Sequence, residues 1–234
     1  MQAVILASGQ GSRLKHLTED LPKCLVSVGG VSILGRILDS LLANGVNNVL
    51  ITTGPFEEKI KNFVKENYPS LQVTYINSDR YSQTNAIYSL WLAKDFIEDQ
   101  DIILMHSDLI FDPALMANIV GSEVSCALVQ KSGPVPEKDF KAFIDAGLIK
   151  KIGVEVDDPT ARFLVPIYKF MASDWQKFIT RVDKLVKAGS INLYPEEAFN
   201  QIADQVKLYP SYYGDELAME VDDLEDFAKA EKLL

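Results

Sequence analysis

Short apolar runs alternate with amphipathic stretches through the first half of the chain. Val4-Ile5-Leu6 is an unbroken apolar run ending in a glycine loop, the pattern of a strand buried on both faces. Ile33, Leu34, Ile37, Leu38, Leu41 and Leu42 recur at helical spacing, and Asn44-Gly45 supplies the stop. Residues 49–53 predict a second strand, and Ile60, Phe63 and Val64 a second helix. A third strand is predicted over 71–76, an apolar-rich helix over 84–97 and a fourth strand over 102–105. This alternation predicts a parallel sheet with helices on both faces.

Beyond about residue 120 the rhythm changes. Residues 124–130, 140–144 and 148–156 read as strands joined by short turns, with Asp145-Ala146-Gly147 as a hairpin connection. A strand over 163–171 precedes helices near 173–187 and 196–204. The final helix, over 223–233, opens with Asp222-Asp223-Leu224-Glu225-Asp226, acids that suit a positive helix N-terminus. No repeat, low-complexity tract or linker divides the chain. The expectation is one domain over 1–234: a mixed, mostly parallel α/β sheet flanked by helices, with a small β-rich excursion.

Composition narrows the classes. With 47% hydrophobic and 24% charged residues, the chain reads as an ordinary globular protein. Its 23 basic against 33 acidic residues leave a net charge of −10, which argues against nucleic-acid and anionic-membrane surfaces. A small anionic ligand would need local basic groups, backbone N–H donors or a divalent cation. No apolar run approaches the ~20 residues of a membrane span. The first seven residues carry no basic leader and too short an apolar run for a signal peptide, so a cytoplasmic location is expected. Cys24 and Cys126 lack metal-ligand spacing and read as buried free thiols.

The most informative segment is Leu6-Ala7-Ser8-Gly9-Gln10-Gly11-Ser12-Arg13-Leu14, directly after the first strand. Glycines there let backbone N–H groups approach a phosphate closely. Leu14 stands where a dinucleotide fingerprint wants a third Gly, and a P-loop would need Gly-Lys-Ser/Thr. Arg13 and the later Pro22-Lys23 add positive charge from a loop, so their replacement is expected to spare the fold. Asp108 follows the strand over 102–105, and ligands of open parallel sheets sit beyond strand carboxyl ends. Glu220 and Asp222, two apart, share one side of an extended segment and could face one ion. Asp222 or Asp223 could equally cap the final helix.

Residues 6–23 resemble the signature of the sugar-phosphate nucleotidyltransferases, Leu-Ala-x-Gly-x-Gly-Ser/Thr-Arg-Leu-x-Pro-Leu-Thr-x-x-x-Pro-Lys, departing at His16, where that pattern has Pro. Residues 78–91, Ser-Asp-Arg-Tyr-Ser-Gln-Thr-Asn-Ala-Ile-Tyr-Ser-Leu-Trp, are similar to the CTP:phosphocholine cytidylyltransferases and their phosphonate-activating relatives. The resemblance implies a Rossmann-like fold of the nucleotide-diphospho-sugar transferase type. Residues 1–120 would then serve the nucleotide and 121–234 the acceptor. It also implies that Leu6, Ala7, Ser8, Gly9, Gly11 and Ser12 cradle the nucleotide, that Arg13 and Lys23 act on its phosphates, and that Asp108, Glu220 and Asp222 hold Mg²⁺.

Asn85 and Ser89 share a helix face, and by resemblance they and Gln83 lie by the nucleoside, although Asn85 also reads as a helix cap. His106 is placed to contact substrate or to serve as a structural histidine. For the acceptor, Tyr194, Glu196 and Glu197, with Trp175, Tyr212, Tyr213, Asp215 and Glu216, supply aromatic faces and acids suited to an ammonium group. Lys141 and Arg162 are preferred over Lys150 and Lys151 for the acceptor phosphate. The expected reaction joins CTP to a small phosphorylated or phosphonate amine, with phosphocholine and 2-aminoethylphosphonate left open. A sugar-1-phosphate nucleotidyltransferase and a non-catalytic nucleotide-binding module are the rival readings. Oligomeric state is left open.

Overall fold

The computed structural model describes residues 1–234. The chain opens with β1 (Gln2–Ala7) and, after 3-10 turns over Ser12–Thr18 and Lys23–Leu25, makes the small ribbon β2 (Ser27–Val28) and β3 (Val31–Ser32). There follow α1 (Ile33–Ala43), β4 (Asn48–Thr53), α2 (Glu57–Asn67), β5 (Gln72–Asn77), α3 (Ala86–Ala93), β6 (Ile102–His106), β7 (Leu109–Phe111) and α4 (Pro113–Gly121). The second half comprises β8 (Cys126–Gln130), β9 (Lys141–Asp145), β10 (Leu148–Gly153), β11 (Arg162–Phe170), α5 (Ala172–Lys187), α6 (Pro195–Asn200), β12 (Tyr209–Tyr213), β13 (Ala218–Glu220) and α7 (Leu224–Leu233).

Nine strands form one mixed sheet in the order β10-β9-β11-β6-β1-β4-β5, with β8 beside β11 and β12 beside β8. The four strands β6, β1, β4 and β5 run parallel, as the alternation of the first half predicts. β11 joins antiparallel to β6, so the second half extends the same sheet. Alternate residues of the central strands enter opposite layers. Ile5, Ile51 and Met105 pack with α1, α2 and α4 through Leu34, Ile60 and Leu115. Val4, Leu50 and Leu104 pack with α3, α5 and α6 through Leu90, Phe178 and Phe199. Trp175 belongs to that second layer, its ring tilted against Phe170 and Phe178, and is a core residue rather than an acceptor-site aromatic.

Local signals account for most element ends. Ser32 caps α1 by accepting from Gly35 N at 3.1 Å, and Asp112 before Pro113 opens α4. Ala146 and Gly147, both at positive φ, close the two-residue loop between β9 and β10. The helix expected over 84–97 ends at Ala93 and tightens into a 3-10 turn. Six elements escape the pattern, the two-residue strands β2 and β3 among them. β7 and β13 are three residues each and pair only with one another, while α4 is short and apolar all round. β12 contains Pro210, which marks an edge strand. No helix is long and apolar enough to cross a membrane.

Candidate active site

A cleft of about 300 Å³ opens beyond the carboxyl ends of β1 and β6. One wall is the loop after β1, contributing Leu6, Ala7, Ser8, Gly9, Gly11, Ser12 and Arg13. Gly11 turns that loop at φ +70°, and an added Cβ would stand 2.7 Å from the Lys23 Cβ, so both its backbone and its surroundings demand glycine. Thr18 Oγ1 donates to the Gly11 carbonyl at 2.9 Å and pins the loop from below. Lys15, at φ 51° and ψ −120°, holds a strained backbone immediately before His16, where the family signature carries Pro.

Two distant stretches complete the floor. β13 pairs antiparallel with β7, with Glu220 opposite Leu109, and Val221 N donates to the Asp108 carbonyl at 2.9 Å. Val221 turns into the core, so Glu220 and Asp222 face the cleft beside Asp108. The helix cap is Asp223, whose side chain accepts from Glu225 N and Asp226 N in a capping box, leaving Asp222 free for the site.

Lys23 ties the acids together. Its Nζ donates to Asp108 Oδ2 at 2.7 Å and to Asp222 Oδ1 at 2.5 Å. Arg13 Nη2 lies 3.0 Å from the same Asp222 oxygen. Burial disfavours charge on Lys23, but Asp108 and Asp222 more than reverse this and raise its pKa. Asp108, half-buried, is held below the usual carboxylate range by Lys23 and His106. Lys23 is only 9% exposed and opens the 3-10 turn Lys23–Leu25, so its replacement is expected to cost stability, whereas the exposed Arg13 keeps the expectation of a fold-sparing change.

Glu220 has no such partner. Burial, followed by the charge of Asp108, pushes its pKa well up. Its Oε1 and the Asp108 Oδ1 are both buried without a hydrogen-bond partner. Orphaned carboxylate oxygens facing one cleft form the donor set that Mg²⁺ takes, so the residues present fit that ion. His106 stands beside them, its Nε2 3.5 Å from Glu196 Oε1. Burial would lower the His106 pKa, but Glu196, then Asp108 and Glu220, lift it to about 9.

The structure separates the remaining expected residues. Asn85 does two jobs: its Oδ1 accepts from Ala86 N at 2.7 Å, and the residue lines the cleft. Tyr194 lines the far wall edge-to-face with Phe140, ring centres 5.1 Å apart. Glu196 lies beneath that wall, buried, accepting from the Tyr168 hydroxyl at 2.7 Å. Ser89 is buried in α3, donating to the Ala86 carbonyl, and does not reach the cleft. Gln83 is exposed on the preceding turn, outside it. Lys141 falls between the inward-facing Phe140 and Ala142 and points the other way, its Nζ held by the Glu137 and Val154 carbonyls. Arg162 is tied to the Thr160 carbonyl at 3.0 Å and is absent from the lining. Tyr81, Thr84, Ser107, Lys138 and Phe140 line the cleft without a sequence signal that singles them out.

Comparison with known proteins places this geometry. CTP:phosphoglutamine cytidylyltransferase of Campylobacter jejuni is 31% identical over 134 residues, 55% of this chain and 52% of its own length. The chain thus aligns with about half of that enzyme. Choline-phosphate cytidylyltransferase of Streptococcus pneumoniae is 25% identical over 235 residues, 100% of this chain and 98% of its own. The solved structure of the CTP:phosphocholine cytidylyltransferase from Streptococcus pneumoniae superposes with a TM-score of 0.83 at 24% identity, covering 99% of this chain and 98% of that one. That likeness establishes the mixed α/β fold with its central parallel strands. Residues 2–130, which carry the glycine loop, Lys23 and Asp108, match the nucleotidyl transferase family, and the chain belongs to it.

Proposed function

We propose that this nucleotidyl transferase moves CMP from CTP to the phosphate or phosphonate oxygen of a small aminated acceptor, phosphocholine or 2-aminoethylphosphonate, releasing pyrophosphate. The observation that carries the reading is the pairing of two walls in one cleft. The glycine loop with Arg13 and Lys23 faces an aromatic wall of Phe140 and Tyr194. A triphosphate suits the first wall and an ammonium group the second. The names of the Streptococcus pneumoniae and Campylobacter jejuni relatives, both cytidylyltransferases, support the choice of nucleotide.

The acceptor oxygen would attack the α-phosphorus in line, and the bond to the β-phosphate would break as pyrophosphate leaves. An acceptor phosphate has its second pKa near ~6, so its oxygen is largely ionised at neutral pH without a general base. Catalysis is then positioning and charge neutralisation. Backbone N–H groups of residues 8–12 would hold the phosphates, and Arg13 and Lys23 would neutralise the leaving pyrophosphate. Mg²⁺, bound by Asp108, Glu220 and Asp222, would supply Lewis-acid neutralisation at the phosphate oxygens. The nucleotide-binding part would be residues 1–120 and the acceptor part 121–234.

The test is pyrophosphate release with four NTPs against phosphocholine, 2-aminoethylphosphonate, a neutral alkyl phosphate of matched length and glucose-1-phosphate. Cation–π terms of roughly 1–2 kcal/mol predict about tenfold preference for the aminated acceptors. Equal turnover with the neutral analogue removes the ammonium pocket, and preference for the sugar phosphate moves the chain to the sugar branch. Chelation should abolish turnover and Mg²⁺ restore it.

A further inference from the structure

The ligand atoms gathered in the cleft differ by one residue from the set expected from sequence, with His106 in place of Asp222. Asp222 Oδ1 already carries both Lys23 and Arg13. Asp108 is divided, with Oδ2 on Lys23 and Oδ1 buried and unpartnered. Glu220 is 7% exposed, has no cationic side chain within ion-pair distance, and leaves Oε1 unpartnered. His106, 8% exposed, brings a nitrogen to the same place: its ligating atom and those of Asp108 and Glu220 all lie within 4.8 Å of one another.

We infer that, before nucleotide binds, His106 joins Asp108 and Glu220, two of the carboxylates proposed above for Mg²⁺, in a mixed nitrogen–oxygen site for a first-row divalent cation of the Mn²⁺ class that does not need the Asp222 carboxylate. Carboxylate oxygens with one imidazole suit Mn²⁺, Co²⁺ or Zn²⁺, whereas Mg²⁺ takes oxygen alone. The layer beneath the site fits that role. Glu196 Oε1 stands 3.5 Å from His106 Nε2, a nitrogen without a hydrogen-bond partner, and is itself held by Tyr168 at 2.7 Å. Ligating histidines characteristically present their second nitrogen to a carboxylate, which fixes the ring. With that ion bound, Glu196, expected from sequence to touch the acceptor, would act instead as a positioning residue for His106. The inference rests on cleft geometry and not on the acceptor or nucleotide, so a failure of cytidylyl transfer would leave it standing.

The experiment uses metal-free full-length protein without nucleotide, titrated with MnCl₂. Free Mn²⁺ is followed by its EPR amplitude, and bound Mn²⁺ by pulsed EPR. Expected is a bound ion whose echo shows ¹⁴N modulation, replaced by the ¹⁵N pattern when the protein is labelled with ¹⁵N-histidine. That readout leaves the fold untouched. Only two histidines exist, and the exposed His16 is removed by His16→Ala as a control that should change nothing. His106→Asn should abolish the modulation and weaken binding at least ~10-fold, as should loss of a ligand or its support in such sites. Glu220→Gln should weaken binding similarly, and Asp222→Asn should keep the modulation. Absent Mn²⁺ binding, a bound ion without histidine modulation, or a signal that follows Asp222 instead of His106 would each overturn the site and leave His106 as a charged neighbour of the acids.

Discussion

Lys23 Nζ stands 2.7 Å from Asp108 Oδ2 across 85 residues of chain. The same ammonium reaches Asp222 across 199 residues, so one cation joins the end of the first strand's loop to both acidic stretches. Lys23→Met would keep the volume and remove the charge, leaving the buried Asp222 and the half-buried Asp108 without the cation they share. Breaking a buried pair from one side costs about 3 kcal/mol or more. The expected result is a lower urea midpoint with unchanged slope, together with a turnover loss of at least ~10²-fold. Wild-type stability in this variant would show that the cluster is not structural.

The Asp223 cap gives a pH-dependent prediction. The Lys138 hydrogen bond, with the amide groups of Asp226 and Glu225, holds this carboxyl down at about 2. A folded pKa below the ordinary 3.8 stabilises the fold above that ordinary value and loses the effect as pH falls through the folded one. Asp223→Ala should therefore cost about 1 kcal/mol at neutral pH, the usual worth of an N-cap. Thermal melts of wild type and variant should converge between about pH 4 and pH 2. Parallel curves over that range would remove the charge contribution and leave the cap alone.

Gly54 sets the height of the glycine loop. A Cβ built on it would fall 2.2 Å from the Ser8 carbonyl oxygen, and that neighbour is backbone, which cannot swing aside. Gly54→Ala should cost about 1–3 kcal/mol of overpacking strain. It should also displace the loop that lines the phosphate side of the cleft. Steady-state kinetics should show a raised KM for the nucleotide with little change in acceptor KM. An equal rise in both, or none, would show that the loop does not depend on this contact.

The two thiols should be inert. Burial pushes the Cys24 thiol up to about 12 even though the residue borders the cleft, and burial raises Cys126 as well. Nucleophilic attack requires the thiolate. Ellman's reagent should find no reactive thiol in the native protein and both after unfolding. Rapid labelling of Cys24 in native buffer would mean that the floor of the cleft opens in solution.

Periodicity alone announces β1, α1, β4, α2, β5 and β6, because strand alternation and helical spacing are local properties that survive in any context. The stop at Asn44-Gly45, the hairpin at 145–147 and the acids that open α7 are local in the same sense. The conformation of the glycine loop is legible too, since a tight turn needs consecutive residues whose backbone is free of side-chain constraint. Gly11 then shows the physical basis, with a positive φ and no room for a side chain.

Other assignments depend on which strand lies beside which. Nothing near Lys23 in sequence names its partners, and the pairing of β13 with β7 is what brings Glu220 and Asp222 to Asp108. The direction of Lys141, the burial of Ser89 inside α3 and the layer that claims Trp175 follow from strand register and sheet order. Glu196 reads as the first turn of a helix, yet it lies buried under His106 because α6 packs against β10 and α5. Backbone conformation is governed by neighbours a few residues away, so sequence determines the elements and the glycine loop. The electrostatic partners of a buried charge come from chain segments up to 199 residues distant, and only the packed sheet brings them within 3 Å.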